Sequence, residues 1–324
     1  MKRFGLMVGA VLVSSLVAVG SSVAAERIFF GIATGGTGGT YYPLGGMLAQ
    51  LISNTVEIDG SKLSATAETA NASVANATLL GREGIESAFV AADILDAAYK
   101  GINQFDGKAV TNIRALGALY PETVQLVVRG NSGINTFADI KGKSVSSGSP
   151  GSGQWQLLGD LLVAHGLDRS KDVSEDYSSF AQSVEKIKDG NLDASLITAG
   201  TPTASIMELA NNHEVRIVPL AGEPIAKLRE VQPYYAQAVL PANTYVGQTE
   251  DVPTIAVRAI WATHDKLDDK VAYEIVKALY ENLETLEKVH VKGKEITLAT
   301  ALESVSIPLH PGAERYYKEK GLIK

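Results

Sequence analysis

The chain has 324 residues, a formal net charge of −7 and no cysteine. The acidic balance argues against nucleic acid and anionic lipid as partners, because both attract basic surfaces. The lack of cysteine excludes disulfides, thiolate metal sites and a lipid anchor through an N-terminal cysteine.

A secretory signal peptide is predicted at residues 1–25. Lys2 and Arg3 precede an almost wholly apolar or small stretch, and small residues at 23–25 supply a cleavage site after Ala25. Cleavage leaves about 299 residues with 27 basic and 36 acidic side chains, a net charge of −9. We therefore expect a free protein in the periplasm. An uncleaved anchor is the alternative, since the apolar run is near the lower limit for spanning a bilayer.

The first feature after the leader is a loop of four glycines and three threonines at 34–40. It follows a β-like run, Ile28–Ile32, and precedes a helical pattern of apolar residues that begins at Leu44. Glycine lets the backbone approach a bound group, and a helix start offers unpaired N–H donors with a partial positive charge. The sequence therefore predicts a small-anion site here. Tyr41 either faces the same cleft or packs on the sheet edge.

Further β/α alternation follows up to residue 119. Asn71 and Ser73 are good N-cap types before a helix, so each is expected to cap it, contact ligand, or both. A strand is predicted at Ile85–Val90, and Asp93 is expected to cap the next helix. A further strand covers 113–119. This alternation predicts a mainly parallel sheet covered on both faces.

A second block begins after residues 120–122, which are expected to interrupt the strand. It holds a second loop of small residues, 146–153, again between a strand and a helical pattern with apolar residues from Leu157. Trp155 is expected in the core and Arg129 in solvent. Tyr234 and Tyr235 form either surface packing or a lid.

These blocks predict an α/β protein with two lobes that grip one ligand between them. Lobe one comprises 26–119 and about 256–324, lobe two comprises 122–250, and the hinge lies near 120–122 and about 220–256. The C-terminus is predicted to be helical from about 268 to 290 and again from 297. Ligands in such sheets bind outside the carboxyl ends of strands, where both loops fall.

Enzyme motifs are missing from both loops. The first has no Lys-Ser or Lys-Thr of a Walker phosphate loop, and Tyr41 occupies the third glycine position of the dinucleotide fingerprint. The second loop has no G-x-S-x-G, because Pro150 precedes Ser152 by two. The five histidines lack the spacing of a known metal motif. A binding protein without cofactor or metal is therefore favoured over an enzyme.

The sequence resembles the TAXI group of solute receptors that serve TRAP-type secondary transporters. The resemblance covers essentially the whole mature chain. Its most specific motifs are Ile32–Gly45 (IATGGTGGTYYPLG) and Pro308–Tyr317 (PLHPGAERYY), and it includes Leu119–Glu122 (LYPE) and Pro150–Gly153 (PGSG).

This resemblance implies a two-lobed, type II-like periplasmic binding protein, with a mainly parallel sheet flanked by helices in each lobe. It would close around a small carboxylate such as glutamate or 2-oxoglutarate and pass it to a TRAP-type permease, as a monomer. The alternative is a periplasmic sensor that presents its ligand-bound state to a signalling receptor. Ala91 and Ala92 stand where relatives often have polar residues, and Gln154 stands where a small hydroxyl residue is common. The residues expected to bind ligand are Gly36, Thr37, Gly38, Gly39, Thr40, Tyr41, Asn71, Ser73, Ala91, Ser149, Gly151, Ser152, Gly153 and Gly200.

Overall fold

The computed structural model describes residues 27–324, so the predicted signal peptide lies outside the described residues. The strands are β1 Ile28–Ala33, β2 Glu57–Ile58, β3 Ser61–Glu68, β4 Ser87–Ala91, β5 Ile113–Arg129, β6 Lys143–Ser146, β7 Val173–Asp176, β8 Ala194–Ala199, β9 Val215–Val218, β10 Ala236–Leu240 and β11 Val252–His264. The helices are α1 Tyr41–Thr55, α2 Ser73–Gly81, α3 Ala92–Lys100, α4 Gln154–Ala164, α5 Arg169–Asp172, α6 Phe180–Lys188, α7 Ala204–Asn212, α8 Glu223–Val231, α9 Asp269–Glu281, α10 Leu283–Glu287 and α11 Pro311–Glu319.

The strands form one mixed sheet in the order β2-β3-β1-β4-β11-β5-β8-β6-β7, with β10 also on β11 and β9 also on β5. The group β3-β1-β4 is parallel, and so is the group β8-β6-β7. Between them, β11 and β5 run antiparallel to their neighbours. The α/β prediction is confirmed, with a parallel strand group on each side of an antiparallel centre.

The two central strands, β5 and β11, are long, and the length of β5 differs from the sequence prediction. β5 has 17 residues and continues through Pro121 without a break, whereas an interruption was expected at 120–122. Pro121 faces Arg258 next to a register shift in the β5–β11 ladder. A proline lacks an N–H donor and is tolerated where a ladder is irregular.

The two long strands join the parallel groups to each other, because β11 pairs with one group, β5 pairs with the other, and the two strands pair together. β11 pairs with β4 near its end and with β10 near its start, while β5 pairs with β8 through its second half. Two strands passing between two groups is the arrangement expected of a hinge. We therefore keep the predicted division as a proposal, and use lobe one for residues 27–119 and 256–324 and lobe two for residues 122–250.

The C-terminal part packs on lobe one, with Trp261, Tyr316 and Tyr317 among its largest fully buried side chains. The predicted helix at 268–290 is divided in two at Asn282, where the backbone leaves the helical region with φ −136°. The predicted helix from 297 is wrong, because residues 297–310 form turns and α11 begins only at Pro311. Within residues 27–324 no helix is both long enough and apolar enough to span a bilayer.

His310 caps α11 and is fully buried. Its Nδ1 accepts a hydrogen bond from the Gly312 amide at 3.2 Å, so the neutral ring donates from Nε2 to the Leu267 carbonyl at 3.0 Å. Burial lowers the pKa of His310, more than the nearby carboxylate of Asp269 raises it. A second proton would also occupy the nitrogen that accepts from Gly312.

Acid is therefore expected to weaken the contribution of His310 to stability. A histidine whose folded pKa lies below its unfolded value near 6.5 stabilises the fold above that value and loses this stabilisation as pH falls through the folded pKa. We expect His310→Asn to melt well below the wild type at pH 7.5, and the difference to narrow at pH 5. Thermal melts of both proteins at the two pH values check this. An equal difference in melting temperature between the two proteins at pH 7.5 and pH 5 would contradict this pH dependence.

Candidate functional site

A cavity of about 180 Å³ lies between the two lobes. Both glycine-rich loops reach it, the first through residues 35–40 and the second through Ser149, Ser152 and Gly153. The volume is smaller than the roughly 300–1,000 Å³ of pockets for drug-sized ligands. The cavity therefore suits a small metabolite.

Twelve of the fourteen residues expected to bind ligand line this cavity. They are Gly36, Thr37, Gly38, Gly39, Thr40, Tyr41, Asn71, Ser73, Ala91, Ser149, Ser152 and Gly153. The structure thus brings together positions from both lobes that are more than 100 residues apart in the chain. Their role in ligand binding stays a prediction.

Gly151 and Gly200 lie outside the lining and join the lobes instead. The Ala75 amide of lobe one donates to the Gly151 carbonyl at 3.0 Å. The Thr40 hydroxyl donates to the Gly200 carbonyl, also at 3.0 Å. Their backbones are used in direct contacts across the cleft, which leaves them behind the cavity wall.

The first loop contacts lobe two at a further point. The Ser205 amide donates to the Gly38 carbonyl at 3.2 Å, and a side chain on Gly38 would begin 3.3 Å from the Ala181 nitrogen. On the lobe-one side, the buried Asn76 amide donates to the Thr34 and Phe89 carbonyls, both at 2.8 Å. These contacts hold the loop against β1 and β4 on one side and against residues 181 and 205 on the other.

Five helices begin at the cavity, namely α1, α2, α3, α4 and α6. The first four have no side-chain hydrogen bond at the N-cap, whereas Ser179 caps α6. Capping was one of the alternatives for Asn71 and Ser73 and the expectation for Asp93, and none of the three is an N-cap residue. The N-cap residues of α2 and α3 are Ala72 and Ala91.

Uncapped helix starts leave backbone N–H donors without an intrahelical partner and carry a partial positive charge. Each stabilises a nearby anion by about 0.3–1 kcal/mol, so four together contribute roughly 1–4 kcal/mol. Ser73 instead accepts from the Ala91 amide at 3.0 Å, which joins the starts of α2 and α3. The backbone of the cavity wall is therefore suited to an anionic group.

Two carboxyl groups, Asp93 and Glu122, also line the cavity, and none of its lining residues is lysine, arginine or histidine. Glu122 lies on β5, is 4% exposed and accepts a hydrogen bond from the Tyr41 hydroxyl at 2.8 Å. Burial raises the pKa of Glu122 to about 8, the Tyr41 hydrogen bond opposes the shift, and the charge of Asp93 adds to it. At neutral pH the Glu122 carboxyl is mostly protonated.

Asp93 lies in the first turn of α3 and links the lobes through the cavity. Its Oδ2 accepts from the Tyr235 hydroxyl of lobe two at 2.9 Å. Burial raises the pKa of Asp93 to about 6, although the hydrogen bond from Tyr235 opposes this shift. Asp93 is therefore mostly ionised at neutral pH. Tyr235 is buried in the cavity wall, which argues against surface packing, and its role as a lid stays a prediction.

Several polar atoms in the cavity wall are buried without a hydrogen-bond partner among the described residues. They are Asp93 Oδ1, Ser152 Oγ, Gln154 Oε1 and Thr198 Oγ1. Unpaired polar atoms in a dry site are costly, so a bound molecule with its own polar groups would satisfy them. Together they point to a polar ligand.

Sequence reasoning did not select Asp93, Glu122, Thr198, Phe180 or Tyr235 as binding residues. Glu122 belongs to the Leu119–Glu122 motif of the family resemblance, and Asp93 follows a predicted strand, so the sequence did offer a reason to consider both as binding residues. Phe180, Thr198 and Tyr235 lie on elements whose meeting depends on the arrangement of the lobes. Their sequence neighbourhoods carry no such signal.

Two other aromatic and basic residues lie away from the site. Trp155 is 40% exposed, not in the core, and the Arg169 guanidinium lies 4.1 Å from its ring centroid. Arg129 pairs with Asp193 at 3.3 Å and is outside the cavity lining. Among residues 27–324 no group of three or more histidine, aspartate or glutamate side chains has metal-site geometry.

The mixed sheet with flanking helices and a cavity between two lobes is the fold of periplasmic substrate-binding proteins. The aliphatic sulphonate-binding protein SsuA from Escherichia coli is 18% identical with a TM-score of 0.50, covering 91% of this chain and 79% of that one. A Xanthomonas citri protein bound to ATP is 13% identical with a TM-score of 0.50, covering 91% and 95%. A protein from a study of glutathione import by GshT and TcyBC of Streptococcus mutans is 16% identical with a TM-score of 0.50, covering 82% and 93%.

The chain belongs to the NMT1-like family, whose model matches residues 32–321. The structural neighbours share its fold, and SsuA among them is a binding protein.

Proposed function

We propose that the protein is an extracytoplasmic receptor that closes around a small organic anion of the glutamate or 2-oxoglutarate type. The observation that carries this proposal is the convergence of four uncapped helix starts on one cavity shared by both lobes. Backbone N–H groups and the hydroxyls of Thr37, Ser149 and Ser152 supply the donors, since the lining has no cationic side chain. The small volume favours a metabolite of a few carbon atoms.

The same proposal assigns the receptor to the periplasm, as a monomer, with a TRAP-type permease as its partner. The resemblance to TAXI receptors supports the permease. Closure around the ligand would allow delivery to a permease, because a permease can distinguish the closed, ligand-bound form from an open one. The direct contacts of Thr40 and Gly38 with lobe two belong to the closed form.

Thermal melting against a panel of dicarboxylates and amino acids tests the ligand class. A ligand at 100 times its Kd stabilises the folded state by about 2.7 kcal/mol. For a chain of this size we expect the midpoint to rise by roughly 4 °C with at least one small carboxylate. Calorimetric titration then gives the stoichiometry. A panel without any stabilising anion, together with no co-purified solute by mass spectrometry, would contradict the proposal.

A further inference from the structure

Glu122 occupies an unusual place for an acidic residue. It lies on β5, the strand shared by both lobes, and its side chain forms part of the cavity wall while only 4% of the residue is exposed. The Tyr41 hydroxyl donates to Oε2, and among the described residues Tyr41 is the hydrogen-bond partner of this carboxyl group. Oε1 is therefore free to interact with a molecule in the cavity.

The groups that face Glu122 offer no positive charge. Tyr41 of α1 and Tyr120 of β5 are neutral phenols whose pKa values burial raises. Asp93 of α3 is a second acid, with Tyr235 and Asp160 of lobe two beyond it. Arg169, the cation near Asp160, pairs with Glu175 and lies outside the cavity lining.

An ionised Glu122 and an anionic ligand in this cavity would repel each other without an intervening cation. A protonated Glu122 removes the repulsion and adds an O–H donor, and hydrogen bonds to charged groups are among the strong ones. Desolvation by the closed cleft favours this neutral form. Geometry and charge thus select one protonation state of Glu122 for the bound complex.

We propose that Glu122 is a ligand-binding residue that donates its carboxyl proton in a hydrogen bond to the anionic group of the ligand. The inference rests on the proposed anion-receptor function. No covalent bond changes: the proton stays on Glu122, and the ligand oxygen accepts. Anion binding therefore requires Glu122 in its protonated form, and above the pKa of this carboxyl it takes up one proton from solution.

Calorimetric titration with 2-oxoglutarate and succinate between pH 7 and 9 tests the inference. The carboxyl groups of these probes stay ionised throughout, and Asp93, with a pKa of about 6, is ionised as well. With the Glu122 pKa at about 8 we expect roughly tenfold weaker binding at pH 9 than at pH 7. Titrations at pH 9 in buffers of different ionisation enthalpy should show about one proton taken up per anion bound.

Two variants show whether the pH dependence of anion binding comes from Glu122. Glu122→Gln keeps an N–H donor but has no titrating proton, so its affinity should be independent of pH in this range, with no proton uptake. Asp93→Asn is the matched control: removal of this ionised carboxylate should strengthen anion binding, and the pH dependence should persist but shift to lower pH, because the charge of Asp93 raises the pKa of Glu122. Circular dichroism and melting confirm that both variants fold, and the wild-type pH profile decides the matter if either does not.

The outcomes separate this inference from the receptor function. Anion binding of unchanged or increasing strength from pH 7 to 9 overturns the role of Glu122 and leaves the receptor function intact. The same holds if glutamate binds with an affinity that does not fall from pH 7 to 9 while 2-oxoglutarate and succinate do not bind, because binding would then not need the proton on Glu122. Failure of every small anion at every pH overturns the receptor function, and this inference with it.

Discussion

Replacing Gly38 with valine is expected to weaken binding of the small carboxylate identified by melting by roughly 100-fold, or about 2.8 kcal/mol. A Cβ atom at Gly38 would lie 3.3 Å from both the Ala181 nitrogen and the Ser205 Cβ of lobe two. The γ-methyl groups of valine extend further into this contact, and the backbone at Ala181 cannot rotate away. The lobes would then stop short of the closed arrangement, and the ligand would lose donors from one side.

Isothermal titration measures the affinity, and small-angle scattering with and without ligand measures closure. Gly38→Ala should show a smaller loss, because its single Cβ is tight but not overlapping. Gly46→Ala in α1 is the control, since this exposed position has nothing within 4 Å of a new Cβ and lies outside the cavity lining. Near-normal affinity and closure in the Gly38→Val protein would show that the loop does not contact lobe two in the bound state.

Replacing Gly312 with alanine is expected to destabilise the fold by about 3 kcal/mol, near the upper end for an overpacked core. Gly312 is buried in the first turn of α11, where it packs against α9. A Cβ there would overlap the Asp269 carbonyl oxygen and lie 2.7 Å from the Tyr273 nitrogen. Both are backbone atoms, so the two helices must separate to admit a methyl group.

Denaturant unfolding followed by circular dichroism measures the loss. Gly46→Ala again serves as the comparison, because it places the same methyl group on an exposed helical position in open space. That control should gain roughly 0.5–1 kcal/mol from the lower entropy of the unfolded chain. If the free energy of unfolding of Gly312→Ala equalled that of Gly46→Ala, close packing between α9 and α11 would not be the reason for glycine at position 312.

The spacing of apolar residues predicted the strands and helices correctly where an element has one buried face and a clear first residue. The apolar run from Ile28 predicted β1, and the helical spacing of apolar residues from Leu44 predicted α1, with the first loop between them. The second loop and α4 were predicted in the same way. Pro121 misled because a proline usually ends a strand, yet here it lies beside a register shift between β5 and β11. The local sequence around Pro121 does not show which strand pairs with β5 at that position.

The sequence by itself determined the α/β class and the two glycine-rich loops between strand and helix, because glycine runs, helix starts and apolar periodicity act over a few residues. Only the tertiary structure decided that Asp93, Glu122 and Tyr235 share one cavity, since Tyr235 follows the other two by more than 100 residues and meets them through the pairing of β10, β11 and β5. It also decided the proton state of Glu122, because a pKa depends on the burial and charges that surround a group after folding.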